Sequence, residues 1–159
     1  MSETMRLGME SRCHCTMLRK ASRRISQLYD VALAESGLKT TQRAILAQIA
    51  RSEPTTIGAL AEALVMDAGG LAHTLKPLIR DGLVATGADP QDRRNRLVKL
   101  TALGRTRLRD SDVRWEAAQK GFEKGLGSAQ SKALREALQL LVSDQFAETF
   151  ATRLAAEKR

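Results

Sequence analysis

Between residues 54 and 101 the apolar spacing changes from helical to strand-like, and that change restricts the fold more than any other feature of the chain. After Pro54, Thr55 and Thr56 are suited to capping a short helix over 57–64, whose Leu60, Ala61 and Leu64 share one side. A break at Val65 and Met66 leads to Asp67, a second capping residue. It opens a helix that ends at Gly82 and has Leu71, Leu75, Leu78 and Ile79 as its buried stripe. Pro77 lies inside this helix, removes one backbone hydrogen bond and is expected to bend it. LVATG (83–87) and LVKL (97–100) then read as strands around the polar excursion DPQDRRNR (89–96). Helix, tight turn, helix and hairpin in that order make a winged helix-turn-helix.

The flanking segments are helical. Over 13–36, Leu18, Ala21, Ile25, Leu28 and Ala32 form one stripe, with Arg19, Lys20, Arg23 and Arg24 on the other face. Gly37 stops this helix, and Thr40 or Thr41 caps the next, which carries Ile45, Leu46 and Ile49 inward. Thr101 opens a helix to about residue 124, GLGS (125–128) breaks it, and Ser128 caps a last helix carrying Leu134, Leu138, Leu141, Val142 and Phe146. The expected fold class is therefore mainly α with a small β-hairpin wing. A winged lobe spans 38–100, a helical dimerisation region spans 13–36 and 101–150, and 1–12 and 151–159 are expected to be flexible termini. The apolar stripes of the flanking helices exceed what a small winged domain covers by itself, which points to a homodimer.

With 26 Lys and Arg against 18 acids the chain carries a net charge of +8, spread along its length, and this favours a polyanionic partner. A 43% hydrophobic content supports a folded core, and only 3% aromatic residues leave that core to aliphatic side chains. Residues 1–12 show no secretory h-region and no apolar run is long enough to span a bilayer, so a cytoplasmic protein without a membrane partner is expected. Neither a GxGxxG, a P-loop, an HExxH nor a GxSxG motif is present, which argues against an enzyme. The spacing in Cys13-His14-Cys15 does not suit a metal site and His73 is far along the chain, so neither metal nor cofactor is expected.

In the helix over 67–82, Gly69, Gly70, His73, Thr74 and Lys76 point away from the apolar stripe and are the candidates for a DNA groove, with Thr40 and Thr41 counted beside them. At the hairpin tip Arg93, Arg94 and Arg96 repel one another, and phosphate oxygens or a narrow minor groove would compensate. Asp92 is placed to pair with one of them and brace the loop. Gly69 and Gly70 lower helix stability by about 1 kcal/mol each relative to Ala and offer no side-chain donors. Base readout is therefore expected to be sparse and the salt-dependent part of the affinity large; alternatively the glycines let the helix backbone approach phosphates. A low-specificity architectural DNA-binding protein is the competing function of another class.

The run DPQDRRNRLVKLTALG (89–104) resembles the wing signature of MarR family regulators, and TIGALAEALVMD (56–67) and LKPLIRDGLV (75–84) extend the likeness over roughly residues 13–110. This resemblance implies that the helix over 67–82 enters the major groove, that Arg94 reaches the minor groove and that Asp92 holds the wing. It also implies a homodimer on a near-palindromic duplex operator, repression as the usual mode, and relief by a small phenolic or aromatic effector held between the dimer helices and the lobe. The organic hydroperoxide sensors of the family carry a reactive cysteine early in the first helix and tyrosines that engage it; Cys15 and Tyr29, the one tyrosine of the chain, are similar to that arrangement. Basic neighbours such as Arg19 and Lys20 would favour a thiolate at Cys13 or Cys15, against the alternative of two incidental thiols packed at a dimer interface.

Overall fold

The computed structural model describes residues 13–92 and 94–157. Helix α1 (His14–Leu33) passes through a 3-10 turn (Ala34–Ser36) to Gly37, whose φ of 73° is the left-handed stop its residue type allows. Helix α2 (Thr40–Ser52) follows, then a two-residue strand β1 (Thr55–Thr56), α3 (Ile57–Ala63) and α4 (Ala68–Arg80). The wing is β2 (Val84–Ala88) and β3 (Arg96–Leu100), and the chain ends in α5 (Ala102–Leu126), α6 (Ser128–Leu141) and α7 (Asp144–Glu157).

Capping chemistry sets most of these boundaries. Thr56 Oγ1 accepts the Ala59 amide at 3.1 Å and Asp67 Oδ1 accepts that of Gly70 at 2.7 Å, each satisfying an orphan donor of the first turn. For α2 the cap is Lys39 and not Thr40 or Thr41: the Gln42 side-chain Oε1 reaches back and accepts the Lys39 amide at 2.9 Å, and Thr40 is already the first helical residue. Between α3 and α4 the chain turns at Val65, which holds a φ of 52°. Helix α4 continues through Pro77, one turn from its end, and the Pro77 carbonyl accepts the Asp81 amide at 2.9 Å.

The sheet is antiparallel in the order β1-β3-β2, with Val84 opposite Leu100 and Ala88 opposite Arg96. Its third strand was not expected from the sequence: Thr55 and Thr56 lie opposite Val98 and Leu97. Around it one core collects Ile45, Leu46 and Ile49 of α2, Leu60 of α3, Leu71, Leu75 and Leu78 of α4, and Val98 and Leu100 of β3. Ile79, expected in the α4 stripe, is exposed, because α4 packs through a face narrower than its apolar pattern.

The run Leu100-Thr101-Ala102-Leu103-Gly104 joins β3 to α5. Leu100 is buried in the core. Thr101 Oγ1 accepts the Gly104 amide at 2.9 Å and donates to the Gly82 carbonyl at 2.6 Å, so one hydroxyl caps α5 and ties it to the end of α4. A Cβ at residue 104 would stand 2.0 Å from the Leu83 carbonyl oxygen, which leaves only glycine at this crossing.

Three expectations at the C-terminal end are corrected. Gly127 caps α6, so Ser128 is its first residue, and the single last helix is two, α6 and α7, parted at Val142 and Ser143. There Ser143 Oγ accepts the Phe146 amide at 3.2 Å and starts a new helix. That helix runs to Glu157, so regular structure extends past residue 150 through 151–157, where the sequence predicts a flexible end; residues 1–12 and 158–159 lie outside the described part.

Candidate nucleic-acid interface

Helix α4 presents His73, Lys76 and Arg80 on an exposed face, since residues three and four apart stack along one side of a helix. Together with Thr74 and Pro77 they border a surface hollow of about 540 Å³. Arg80 was not among the residues read from the sequence, although its spacing from Lys76 placed it on this face. Its guanidinium lies 2.8 Å from Asp81, and this hydrogen-bonded pairing raises the arginine's pKa and lowers the carboxylate's. Thr74 is half-buried, and its hydroxyl donates to the Gly70 carbonyl at 3.0 Å, which commits it to its own helix.

At the start of α4 the two glycines serve the cap. Their nearest neighbour is the Asp67 carboxylate: a Cβ on Gly70 would meet Oδ2 at 2.8 Å and one on Gly69 would meet Oδ1 at 3.2 Å. A side chain at residue 70 would displace the carboxylate that accepts the Gly70 amide. Asp67 also puts a negative charge where a phosphate would otherwise approach the helix N-terminus, which works against the close phosphate approach considered for these glycines.

The wing tip is a side-chain-braced turn. Asp92 Oδ1 accepts the Arg94 amide at 3.0 Å, Asp92 Oδ2 accepts from Asn95 Nδ2 at 3.4 Å, and the Asn95 amide donates to the Asp92 carbonyl at 2.9 Å. This holds the Arg94 side chain outward, 95% exposed, with its Nε 3.8 Å from Asp92. Arg96 belongs to β3 and donates to Thr86 Oγ1 at 3.1 Å across the hairpin. Arg93 lies outside the described residues.

On α2, Thr41 is exposed, whereas Thr40 is half-buried against α1. The Thr40 amide donates to Asp30 Oδ1 at 2.7 Å and its hydroxyl lies 3.5 Å from the Ser26 carbonyl. Partial burial pushes the Asp30 carboxyl up, but the Thr40 bonds and the Lys39 charge outweigh it and leave the pKa lowered. Thr40 therefore joins α1 to α2 and has little hydroxyl capacity left for a phosphate.

Both cysteines are exposed, and the Thr16 hydroxyl followed by the Thr16 amide lowers the Cys13 thiol below its usual pKa. Tyr29 follows Cys15 by fourteen residues on the same helix, about 21 Å along the axis, so the two do not meet within one protomer. The Tyr29 hydroxyl instead donates to Gln119 Oε1 of α5, and burial followed by the Glu123 charge raises its pKa. Among the described residues no group of three or more His, Cys, Asp or Glu is placed to hold a metal ion. Among them, too, no helix is long and apolar enough to cross a membrane.

Comparison with known proteins converges on one family. A MarR family model matches residues 36–95, the segment that carries α2, the helix-turn-helix, strand β2 and the wing tip, and stops short of β3. The crystal structure of the M. tuberculosis transcriptional regulator MosR in complex with DNA is 33% identical, with 87% of this chain and 98% of that one covered at a TM-score of 0.77. This chain belongs to the MarR family. SarZ, an HTH-type transcriptional regulator of Staphylococcus epidermidis, is 29% identical over 136 residues, 85% of this chain and 90% of SarZ. CouR from Rhodococcus jostii RHA1, solved with p-coumaroyl-CoA, shares the fold at 23% identity and a TM-score of 0.69, covering 84% of this chain and 94% of that one. The protein is thus a MarR-family DNA-binding transcriptional regulator, mainly helical with a small antiparallel sheet.

Proposed function

We propose that this MarR-family protein is a cytoplasmic repressor that binds a near-palindromic duplex operator as a homodimer and is released by a small phenolic or aromatic effector. The observation that carries the reading is where the apolar surface lies. The winged lobe of 38–100 holds a closed core, while in the helical region of 13–36 and 101–150 Leu18, Leu28, Leu134, Leu138 and Leu141 stay exposed on a single protomer. A second copy covers such a stripe, and two-fold symmetry then sets two α4 helices toward half-sites about one helical turn, 34–36 Å, apart. In this arrangement His73, Lys76 and Arg80 face the major groove, with Thr41, Gly69 and Gly70 beside them, Arg94, braced by Asp92, reaches the minor groove, and Arg93 and Arg96 count as further DNA contacts of the wing by their place in the sequence. The Thr40 and Thr74 hydroxyls, bonded within the protein, act by position only.

For the effector, a cavity of about 390 Å³ between α1 and α5 is walled by Ile25, Leu28, Tyr29 and Phe122, apolar surface with one phenol. That volume suits a single aromatic ring system. An occupant there would bias the spread of the two lobes, and release follows from its preference for the spread that misfits the operator.

The test is fluorescence anisotropy on DNA upstream of the chain's own reading frame against a shuffled duplex. A ratio well above one, a steep salt dependence and an Arg94→Ala variant weakened about tenfold without a change in melting temperature support the reading. A ratio near one leaves the low-specificity architectural function, and an unaltered Arg94→Ala affinity removes the wing assignment. The exposed, pKa-lowered thiol of Cys13 with Cys15 beside it favours a second reading, an oxidant-sensing switch. Operator affinity that does not change after peroxide treatment disposes of that one.

A further inference from the structure

Arg43 projects from the first turns of α2, and its side chain is only 11% exposed. Its Nε donates to Ser111 Oγ at 3.0 Å and its Nη2 to Asp112 Oδ1 at 2.6 Å, both on α5. Its guanidinium carbon lies 4.5 Å from the centre of the Trp115 ring, one turn further along the same helix. Ser111 is fully buried and its hydroxyl donates to the Leu108 carbonyl at 2.6 Å, so its oxygen is oriented to accept from the arginine.

The position of this cluster gives it leverage. Helix α5 leaves the winged lobe at Gly104, against the Leu83 carbonyl, and Leu108 still packs on the lobe's core. Ser111 to Trp115 lie about 10–16 Å beyond Gly104 along the helix axis, where α5 already belongs to the helical arms. The crossing at Gly104, with the Arg105–Glu53 ion pair one residue on, holds α5 near one point and leaves a pivot. Two turns further along α5, and in addition to the Thr40–Asp30 bond that joins α2 to α1, the attachment at Arg43 converts the pivot into an angle. Helix α2 shares one core with α4, so whatever sets the angle between α2 and α5 also sets where the recognition helix stands relative to the dimer axis.

We propose that Arg43 is a positioning residue that locks the winged lobe to α5 and thereby sets the half-site spacing that the dimer accepts. The proposal rests on the dimeric reading above. A displacement of about 3.4 Å at α4 amounts to one base pair, so loosening the lock relaxes spacing before it touches base readout.

Arg43→Gln is a suitable probe because it leaves no buried polar group stranded: Ser111 keeps its bond to Leu108, Asp112 is half exposed, and the apolar face of α2 is unchanged. The substrates are a palindromic duplex selected by the wild-type protein from a random pool, the same duplex lengthened by one base pair at its centre, and an isolated half-site. Arg43→Gln is expected to match wild type within about twofold on the half-site, to bind the full duplex about tenfold more weakly, and to lose the preference between the two spacings. Asp112→Asn should shift spacing preference in the same direction, and the double variant should add little to Arg43→Gln. Emission of Trp115, the chain's one tryptophan, should change in Arg43→Gln without DNA. Unchanged spacing preference in both single variants overturns the proposal. Equal losses on half-site and full duplex also overturn it, because they mark damage within the lobe. A wild-type protein that binds half-site and full duplex alike refutes the dimeric reading itself, and the lock with it.

Discussion

Helices α4 and α6 carry the same apolar spacing and put it to opposite uses. Leu71, Leu75 and Leu78 of α4 are at most 1% exposed, whereas Leu134, Leu138 and Leu141 of α6, with the same intervals of four and three, are 36–42% exposed. An amphipathic pattern states that a face will be covered and says nothing about what covers it. For α4 the cover is α2, α3 and the sheet of the same chain. For α6 it is proposed to be a second copy; on that proposal the difference separates a region closed within one protomer from a region completed by its partner.

The most direct attempt to break that contrast is to truncate or charge one leucine in each stripe. Leu75→Ala should cost about 2–5 kcal/mol at every protein concentration, because it opens a cavity in a closed core. Leu138→Glu should instead dissociate the dimer, reduce operator affinity by about 100-fold or more and leave the lobe folded, with a melting temperature that no longer rises with protein concentration. Thermal melts at two well-separated concentrations, with sedimentation velocity, distinguish them. Equal concentration-independent losses in both variants would erase the distinction.

The junction between the two regions is the next place to press. Gly104→Ala forces a methyl against the Leu83 carbonyl, and the strain should cost about 1–3 kcal/mol in urea unfolding. An unchanged midpoint would mean that α5 can shift on the lobe at no cost, which contradicts the fixed crossing described above.

The winged lobe could be read from the sequence to the extent that its signals are local. Asp67, Thr101 and Gly37 announce helix ends because a cap is a contact between a residue and its neighbours three or four positions on. The Asp92 turn is of the same kind. What was missed is non-local or has no residue-type marker. Strand β1 is two threonines whose partners lie more than forty residues away, too short to show an alternation. The break at Val142 and Ser143 contains neither glycine nor proline. Arg43 looks like any arginine on a helix, since Ser111, Asp112 and Trp115 are recognisable as its partners only once α2 and α5 are brought together. Among the proposed groove residues, the sequence indicated which face α4 would present, but not that the Thr40 and Thr74 hydroxyls would be bonded inside the protein.

A smaller effect sharpens the contrast from the lobe's side alone. Val65 holds a φ of 52° in the helix-turn-helix turn while its side chain is exposed, so a β-branched residue bears backbone strain with little packing in return. Val65→Gly should stabilise the lobe by about 0.5–1 kcal/mol, the left-handed strain of about 1–2 kcal/mol less the added freedom of the unfolded chain. Chemical unfolding should report the gain with the dimer dissociation constant unchanged. A loss of stability would show that the exposed valine has a contact the isolated protomer does not reveal.

The smallest effect lies where α1 meets α2. Asp30 accepts the Thr40 amide and pairs with Lys39 at 3.7 Å, and its pKa is lowered in the folded protein. A carboxyl whose folded pKa lies below its unfolded one contributes stability above the ordinary carboxylate range and loses it as pH falls through the folded value, because the unfolded chain then binds the proton more readily. For a partly exposed pair the contribution is about 0.2–0.5 kcal/mol. Asp30→Asn should therefore melt slightly below wild type at neutral pH and converge with it as pH falls below the folded pKa of Asp30, where both side chains are uncharged. Convergence would assign Asp30 a charge-dependent share of the α1–α2 junction. A difference that persists at low pH would mean that the junction depends on the shape of the Asp30 hydrogen bond to Thr40 and not on its charge, and the arms would then be joined to the lobe by packing and capping alone.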